Sequence, residues 1–193
     1  MTAAIILAGG RATRMGGVDK AAVDLRGRRL VEMVYDAVAG ADPVIAVGPA
    51  SLAAPGVRVV REDPPFGGPV AALDAALSAL AESAGPASEA WVLACDLPRA
   101  GSVVAQLREL PIPDGADALI LTDADGRHQW LAGRYRVTAL RHAVAALPRV
   151  RDASMRALVA GLRMHPVLDR VGASMDLDTW DDVHRYRNQE DPR

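Results

Sequence analysis

The chain has one lysine and one cysteine in 193 residues, and both scarcities carry information. The lone Cys95 cannot close a disulfide within the chain, which points to a reducing compartment and a cytoplasmic protein. No apolar run is long enough to span a bilayer, so no membrane partner is expected. The first residues are apolar, but they lack an early positive charge and run into Gly9-Gly10. They therefore read as a buried strand, not a signal peptide. A basic excess is also missing. At a net charge of −2 the chain lacks the charge of a dedicated nucleic-acid binder. Disorder is excluded by composition, because half of the residues are hydrophobic. These bounds predict a single α/β domain over residues 1–188 and a polar tail at 189–193.

What is present is an alternation. Short apolar runs at 3–8, 43–47, 57–60 and 91–94 read as buried strands of a parallel sheet. Helical spacing or composition covers 30–38, 70–80, 102–110, 137–147, 154–162 and 179–186, with Ser102 and Thr179 as N-caps. Residues 118–121 and 129–136, joined by the turn Asp123-Ala124-Asp125-Gly126, read as a hairpin. Strands alternating with helices predict a mostly parallel sheet covered on both faces, a three-layer sandwich.

The loop after the first strand concentrates the chemistry. It runs Leu7-Ala8-Gly9-Gly10-Arg11-Ala12-Thr13-Arg14-Met15-Gly16-Gly17-Val18-Asp19-Lys20, at the strand end where open α/β sheets bind ligands. Residues 1–30 hold six arginine or lysine residues against two aspartates, a local excess in a chain that is slightly acidic overall. A solvated basic face accounts for such a bias, and so does an anionic ligand. Glycines let backbone N–H groups converge on an anion, and Arg14 and Lys20 add fixed charge, which suits a triphosphate. Two familiar phosphate loops do not match. Lys20 lies between Asp19 and Ala21, not in Gly-Lys-Ser/Thr, and the glycines form two separated pairs, not Gly-x-Gly-x-x-Gly. Every other basic residue is arginine, so the single ammonium beside this loop suits a phosphate that needs a compact point charge.

The run Leu-Ala-Gly-Gly-x-x-x-Arg-Met-Gly-Gly-x-Asp-Lys resembles the signature loop of molybdenum cofactor guanylyltransferases. More broadly it resembles nucleotidyltransferases with a glycosyltransferase-A-like Rossmann core, the nucleotide-diphospho-sugar transferase type. The resemblance implies transfer of GMP from GTP to the phosphate of molybdopterin with release of pyrophosphate, Mg²⁺ as cofactor, and transient contact with other molybdenum cofactor assembly proteins. It assigns Leu7, Ala8, Gly9 and Gly10 to nucleotide contact and Arg14 and Lys20 to the phosphates. Cys95-Asp96-Leu97-Pro98 looks like the family's metal-binding segment, with Asp96 at the end of a predicted strand and able to hold Mg²⁺ against a triphosphate. Cys95 has no activating partner in the sequence and reads as a buried, inert thiol. Asp63-Pro64-Pro65-Phe66-Gly67-Gly68-Pro69 resembles the base-reading segment, with Asp63 accepting from guanine and Gly68 leaving room for the base. Its other reading is a helix start with Pro69 in the first turn.

Asp176-Leu177-Asp178-Thr179 resembles the position of a second metal contact, given to Asp178. Guanylyltransferases often carry Asn-x-Asn-Thr-Pro there, and Asp-x-Asp looks like the cytidylyltransferase relatives. Val47-Gly48 likewise lacks the asparagine often found after the second strand. A cytidylyltransferase, another nucleotidyltransferase acting on a phosphorylated cofactor precursor, and a non-catalytic nucleotide-binding module remain alternatives. Acceptor contacts are expected within 114–162, where Trp130, Arg134 and Arg156 are the candidates. The histidines His128, His142, His165 and His184 are scattered without metal-ligand spacing.

Overall fold

A computed structural model describes residues 1–9, 19–83, 85 and 87–188. Gly10 and Arg14 of the loop, and the tail 189–193, lie outside the described residues. Seven strands form the main sheet: β1 (Thr2–Leu7), β4 (Val44–Val47), β5 (Val57–Val60), β6 (Glu89–Ala94), β7 (Ala118–Thr122), β8 (His128–Arg136) and β9 (Met164–Leu168). Their order is β5-β4-β1-β6-β8-β7-β9. Only β8 runs against the rest, antiparallel to both β6 and β7. A two-stranded ribbon, β2 (Asp24–Leu25) with β3 (Arg28–Arg29), stands apart.

The strands β1, β4, β6 and β7 are apolar on both sides because both faces of the sheet are covered there. In β1, Ala3, Ile5 and Leu7 point to one helical layer and Ala4 and Ile6 to the other, following the two-residue period of a strand. The first layer is α2 (Pro69–Ala81), α4 (Val137–Ala145) and α5 (Met155–Val159), packed through Val70, Leu73, Leu140 and Leu158. The second is α1 (Leu30–Ala37) and α3 (Ala100–Leu107), packed through Val31, Val34, Val103 and Leu107. A third, smaller core joins Val23, Leu25 and Leu30 to Leu177 and to Val183 of α6 (Trp180–Asn188). The expected three-layer α/β architecture is present.

Local differences have physical causes. Helix α3 begins at Ala100, not at a Ser102 cap, because Ala100 is fully buried and shares the inward face with Val103, Val104 and Leu107. Helix α5 is shorter than its apolar pattern, ending before Gly161. Strand β9 was not expected, since His165 and Pro166 sit in it. It lies at the sheet edge and pairs only with β7, where a proline is tolerated. The expected hairpin is β7–β8, with a register shift between Ile120 and Leu121. Gly133 faces that shift, where a Cβ would stand 2.6 Å from the Leu119 carbonyl oxygen.

Candidate active site

Parallel pairing brings the ends of β1, β4, β5 and β6 to one rim, because Leu7 lies beside both Val47 and Ala94 and Val47 lies beside Val60. The ladder continues past the strands: Ala8 N–H donates to Val47 O at 2.9 Å, Gly48 N–H to Val60 O at 2.9 Å and Cys95 N–H to Leu7 O at 3.1 Å. Gly48 permits this closeness, since a Cβ there would stand 2.8 Å from Leu52 Cδ1 and 3.1 Å from Ala8 O. The reversed strand β8 starts at the same rim, so His128, Gln129 and Trp130 share a cavity wall with Asp96.

Lys20 opens a single 3₁₀ turn, Lys20–Ala22, where Asp19 caps by accepting from Ala21 N–H at 3.0 Å. Its ammonium donates to Asp96 Oδ2 at 2.9 Å and also to Asp178 Oδ1. Three residues remote in sequence therefore meet at one point. The small third core explains the meeting. Leu177 is buried with Val23 and Leu25, so the residue between the two acids and the ribbon after Lys20 share one apolar contact. Leu177 N–H also donates to Asp96 O at 3.1 Å. Burial works to lower the Lys20 pKa, but the hydrogen bonds and charges of Asp178 and Asp96 outweigh it and hold it above 10.5.

The charge balance fits a divalent ion. Among the described residues, Asp96, Asp178 and the nearby Asp176 gather three carboxylates around the Lys20 ammonium. Asp176 is open to solvent on one side. Protein crowding its carboxyl, then the charges of Asp178 and Asp96, raise its pKa above the usual carboxylate value. Among the described residues no group of three or more His, Cys, Asp or Glu side chains forms a metal cage. Mg²⁺ commonly takes one or two carboxylates and completes its shell with water and phosphate oxygens, which the Asp96–Asp178 pair suits. Cys95 is buried beside them, and burial drives its thiol pKa far up, in keeping with an inert thiol.

On the other flank of Gly9 stands a carboxylate that sequence reasoning passed over. Glu62 is only 8% exposed. Its Oε1 accepts from Phe66 N–H at 2.9 Å, while its buried Oε2 has no hydrogen-bond partner among the described residues. A Cβ placed on Gly9 would lie 3.8 and 4.0 Å from these two oxygens. Asp63, the expected base reader, is exposed. Strand β5 ends at Val60, and two residues on Glu62 is buried while Asp63 is exposed. Gly68 is the N-cap of α2 at φ 91°, packed against Asp152 and Ala153, and Pro69 follows in the first turn.

Next to Asp96 opens a cavity of about 680 Å³, lined by Arg127, His128, Trp130, Arg156, Ser174 and Asp176 among others. Two of the three expected acceptor contacts, Trp130 and Arg156, are here. Arg134 is not. It is buried, bonds Arg108 O at 2.9 Å and also Leu110 O, pairs with Glu89 at 3.1 Å and lies over Trp91. Its position deep along β8 makes it a tie between sheet and α3. His142, His165 and His184 are exposed on α4, β9 and α6.

Comparison with known proteins shows the fold and the family of the chain. A curated molybdenum cofactor guanylyltransferase from Rhodopseudomonas palustris (strain HaA2) is 36% identical over 139 residues, 67% of this chain and 63% of that protein. The match thus spans a little under two thirds of the relative's length. The crystal structure of molybdopterin-guanine dinucleotide biosynthesis protein A from Archaeoglobus fulgidus superposes with a TM-score of 0.71 at 21% identity, covering 97% of each chain. A manganese complex of a Mycobacterium tuberculosis H37Rv protein superposes at 0.68 with 22% identity, covering 98% of this chain and 99% of that one. At such identities these two structures speak to the fold. The family model described as the MobA-like NTP transferase domain matches residues 4–168, and the chain belongs to that family.

Proposed function

We propose that this protein transfers GMP from GTP to the phosphate of molybdopterin and releases pyrophosphate. The observation that carries the reading is the convergence of Lys20, Asp96 and Asp178 at one rim, between the buried Glu62 carboxylate and an open cavity. The name of the curated relative supplies the nucleotide and the acceptor.

In this reading the guanine lies by Glu62. Its carboxylate accepts from N1–H and the N2 amino group, a donor pair that cytosine and adenine lack. Glu62 thus takes the place expected for Asp63, beside Gly9, and Leu7, Ala8, Gly9 and Gly10 keep their expected role in nucleotide contact. The triphosphate follows the rim, with Lys20 at the α-phosphate and Arg14 at the leaving phosphates. Mg²⁺ held by Asp96 and Asp178 neutralises triphosphate charge when bound. A phosphate oxygen of the acceptor attacks the α-phosphorus, and the bond from that phosphorus to the bridging oxygen breaks, so pyrophosphate leaves with the electron pair. The attacking oxygen is already anionic and needs no general base, leaving positioning and charge stabilisation as the protein's task. The cavity beside Asp96 receives the acceptor, with Trp130 offering a ring face and Arg127 and Arg156 offering cations. The reaction belongs in the cytoplasm, where GTP is at hand. No described helix is long and apolar enough to cross a membrane.

A pyrophosphate-release assay with molybdopterin, Mg²⁺ and each of GTP, CTP, ATP and UTP tests the reading. Release with GTP in clear preference is expected. A preference for CTP would move the chain to the cytidylyl reaction, and no release with any nucleotide would remove the catalytic reading.

A further inference from the structure

Residues 169–179, between β9 and α6, contain neither helix nor strand, yet they carry Asp176 and Asp178. Such a segment needs another source of order, because its backbone has no ladder of its own. That order comes from Asp169, a buried acid that the reaction does not use. Its oxygens accept from Gln106 Nε2 at 3.1 Å, Val171 N–H at 3.3 Å, Ala173 N–H at 2.9 Å, Ser174 N–H at 2.8 Å and Ser174 Oγ at 2.7 Å. Gln106, on α3, turns its other atom to the same loop, where Oε1 accepts from Arg170 N–H at 3.1 Å. Asp169 N–H donates to Thr122 O, at the end of β7, at 2.8 Å. The first half of the loop is thereby pinned to a helix and a strand. Ser174 and Asp176 are then presented on the wall of the cavity that also holds Asp96.

We infer that Asp169 and Gln106 are positioning residues that set the Asp176–Asp178 strip against Asp96 and so determine how strongly a divalent metal is held with the nucleotide. The inference rests on the proposed reading that Asp96 and Asp178 hold that metal. Partners that orient metal ligands from behind commonly control affinity by about 10–100-fold.

The test measures GTP binding by calorimetry, once with saturating Mn²⁺ and once in EDTA, for the intact protein and for Asp169→Asn and Gln106→Leu. The ratio of the two affinities isolates the metal's share by linkage. The wild-type protein is expected to bind GTP much more tightly with Mn²⁺. In both variants that gain should shrink about 10-fold, while the affinity in EDTA stays within about twofold, because Gly9 and Glu62 lie across the rim. A structural role alone would lower the melting temperature and leave the ratio unchanged, and that result in a folded variant overturns the inference. Should Asp169→Asn fail to fold, Gln106→Leu decides, since it removes one of Asp169's five donors and the Arg170 N–H contact but leaves Asp169's bonds from Val171, Ala173 and Ser174. A wild-type protein indifferent to Mn²⁺ would instead overturn the metal reading, and this inference with it.

Discussion

At the scale of single residues, the site depends on one ammonium set between two carboxylates. Removing one charged group of this kind from an electrostatic site typically costs about 10²–10³ in rate. Lys20→Ala and Asp96→Ala are each expected to lose turnover on that scale with unchanged circular dichroism. Pyrophosphate release at near-normal rate in either purified variant would detach that residue from catalysis. Lys20→Arg should recover little, because a planar fork cannot occupy the point where Asp96 Oδ2 and Asp178 Oδ1 converge. Glu62 makes a different prediction. Its unpartnered oxygen is buried, so it gains most from a base with two donors. Glu62→Gln should raise the KM for GTP and reduce the preference for GTP over inosine triphosphate, which lacks the N2 amino group, by about 10–100-fold. An unaltered ratio of the two KM values would show that the base is read elsewhere.

At the scale of elements, two irregular pieces hold the site together, the ribbon β2–β3 and the 169–179 loop. Their shared apolar contact is Leu177, 1% exposed within the third core. Leu177→Ala should cost about 2–4 kcal/mol and should weaken metal-dependent turnover more than nucleotide binding in EDTA. Chemical denaturation and the calorimetric pair described above measure the two effects. Asp169 adds a pH dependence. Burial alone would raise its pKa, but its hydrogen bonds from Ser174, Ala173 and Gln106 prevail and depress it to about 2, from an ordinary 3.8. A folded-state value below the unfolded one stabilises the protein above the unfolded pKa. That stability is lost as pH falls toward the folded value. The melting temperature of the wild-type protein should therefore exceed that of Asp169→Asn at pH 6, and the gap should narrow between about pH 4 and pH 2. A constant gap across that range would mean that the carboxylate charge contributes nothing.

At the scale of the whole molecule, the proposed reading divides the rim into a nucleotide half, on β1, β4 and β5, and an acceptor half, on β6, β8 and the 169–179 loop. Lys20, Asp96 and Asp178 lie where the two adjoin. Arg156→Ala and Trp130→Leu should accordingly raise the KM for molybdopterin about 10-fold or more and leave that for GTP within twofold, since charge-assisted and cation–π contacts are worth roughly 1–3 kcal/mol. Equal changes in both constants would break the division. Thermal melting offers a second reading, because GTP with Mg²⁺ at about 100 times its Kd should stabilise the fold by roughly 2.7 kcal/mol.

Much of this molecule was legible in its residues. The apolar runs at 3–8 and 91–94 read as strands buried on both faces, 57–60 reads as a strand that the sheet places at its edge with Arg58 exposed, and the helical periods between them point to a layered parallel sheet. The glycine-rich loop and its solitary lysine marked the ligand edge for the same reason, since local composition sets backbone freedom and local charge. What local pattern could not decide was proximity. Strand β9 was hidden because Pro166 and exposed His165 are tolerated only at an edge, and edge position is a property of the sheet. Asp63 and Glu62 are neighbours with the same chemistry. Only the angle at which the chain leaves β5 buries one and exposes the other. Arg134, on β8, and Arg156, on α5, likewise differ only in where the fold places them. Sequence alone determined which groups are available and which segments hold regular form, because these follow from side-chain chemistry and period. Tertiary packing decided which of those groups meet, because a contact across 158 residues exists only after Leu177 is buried against Val23 and Leu25.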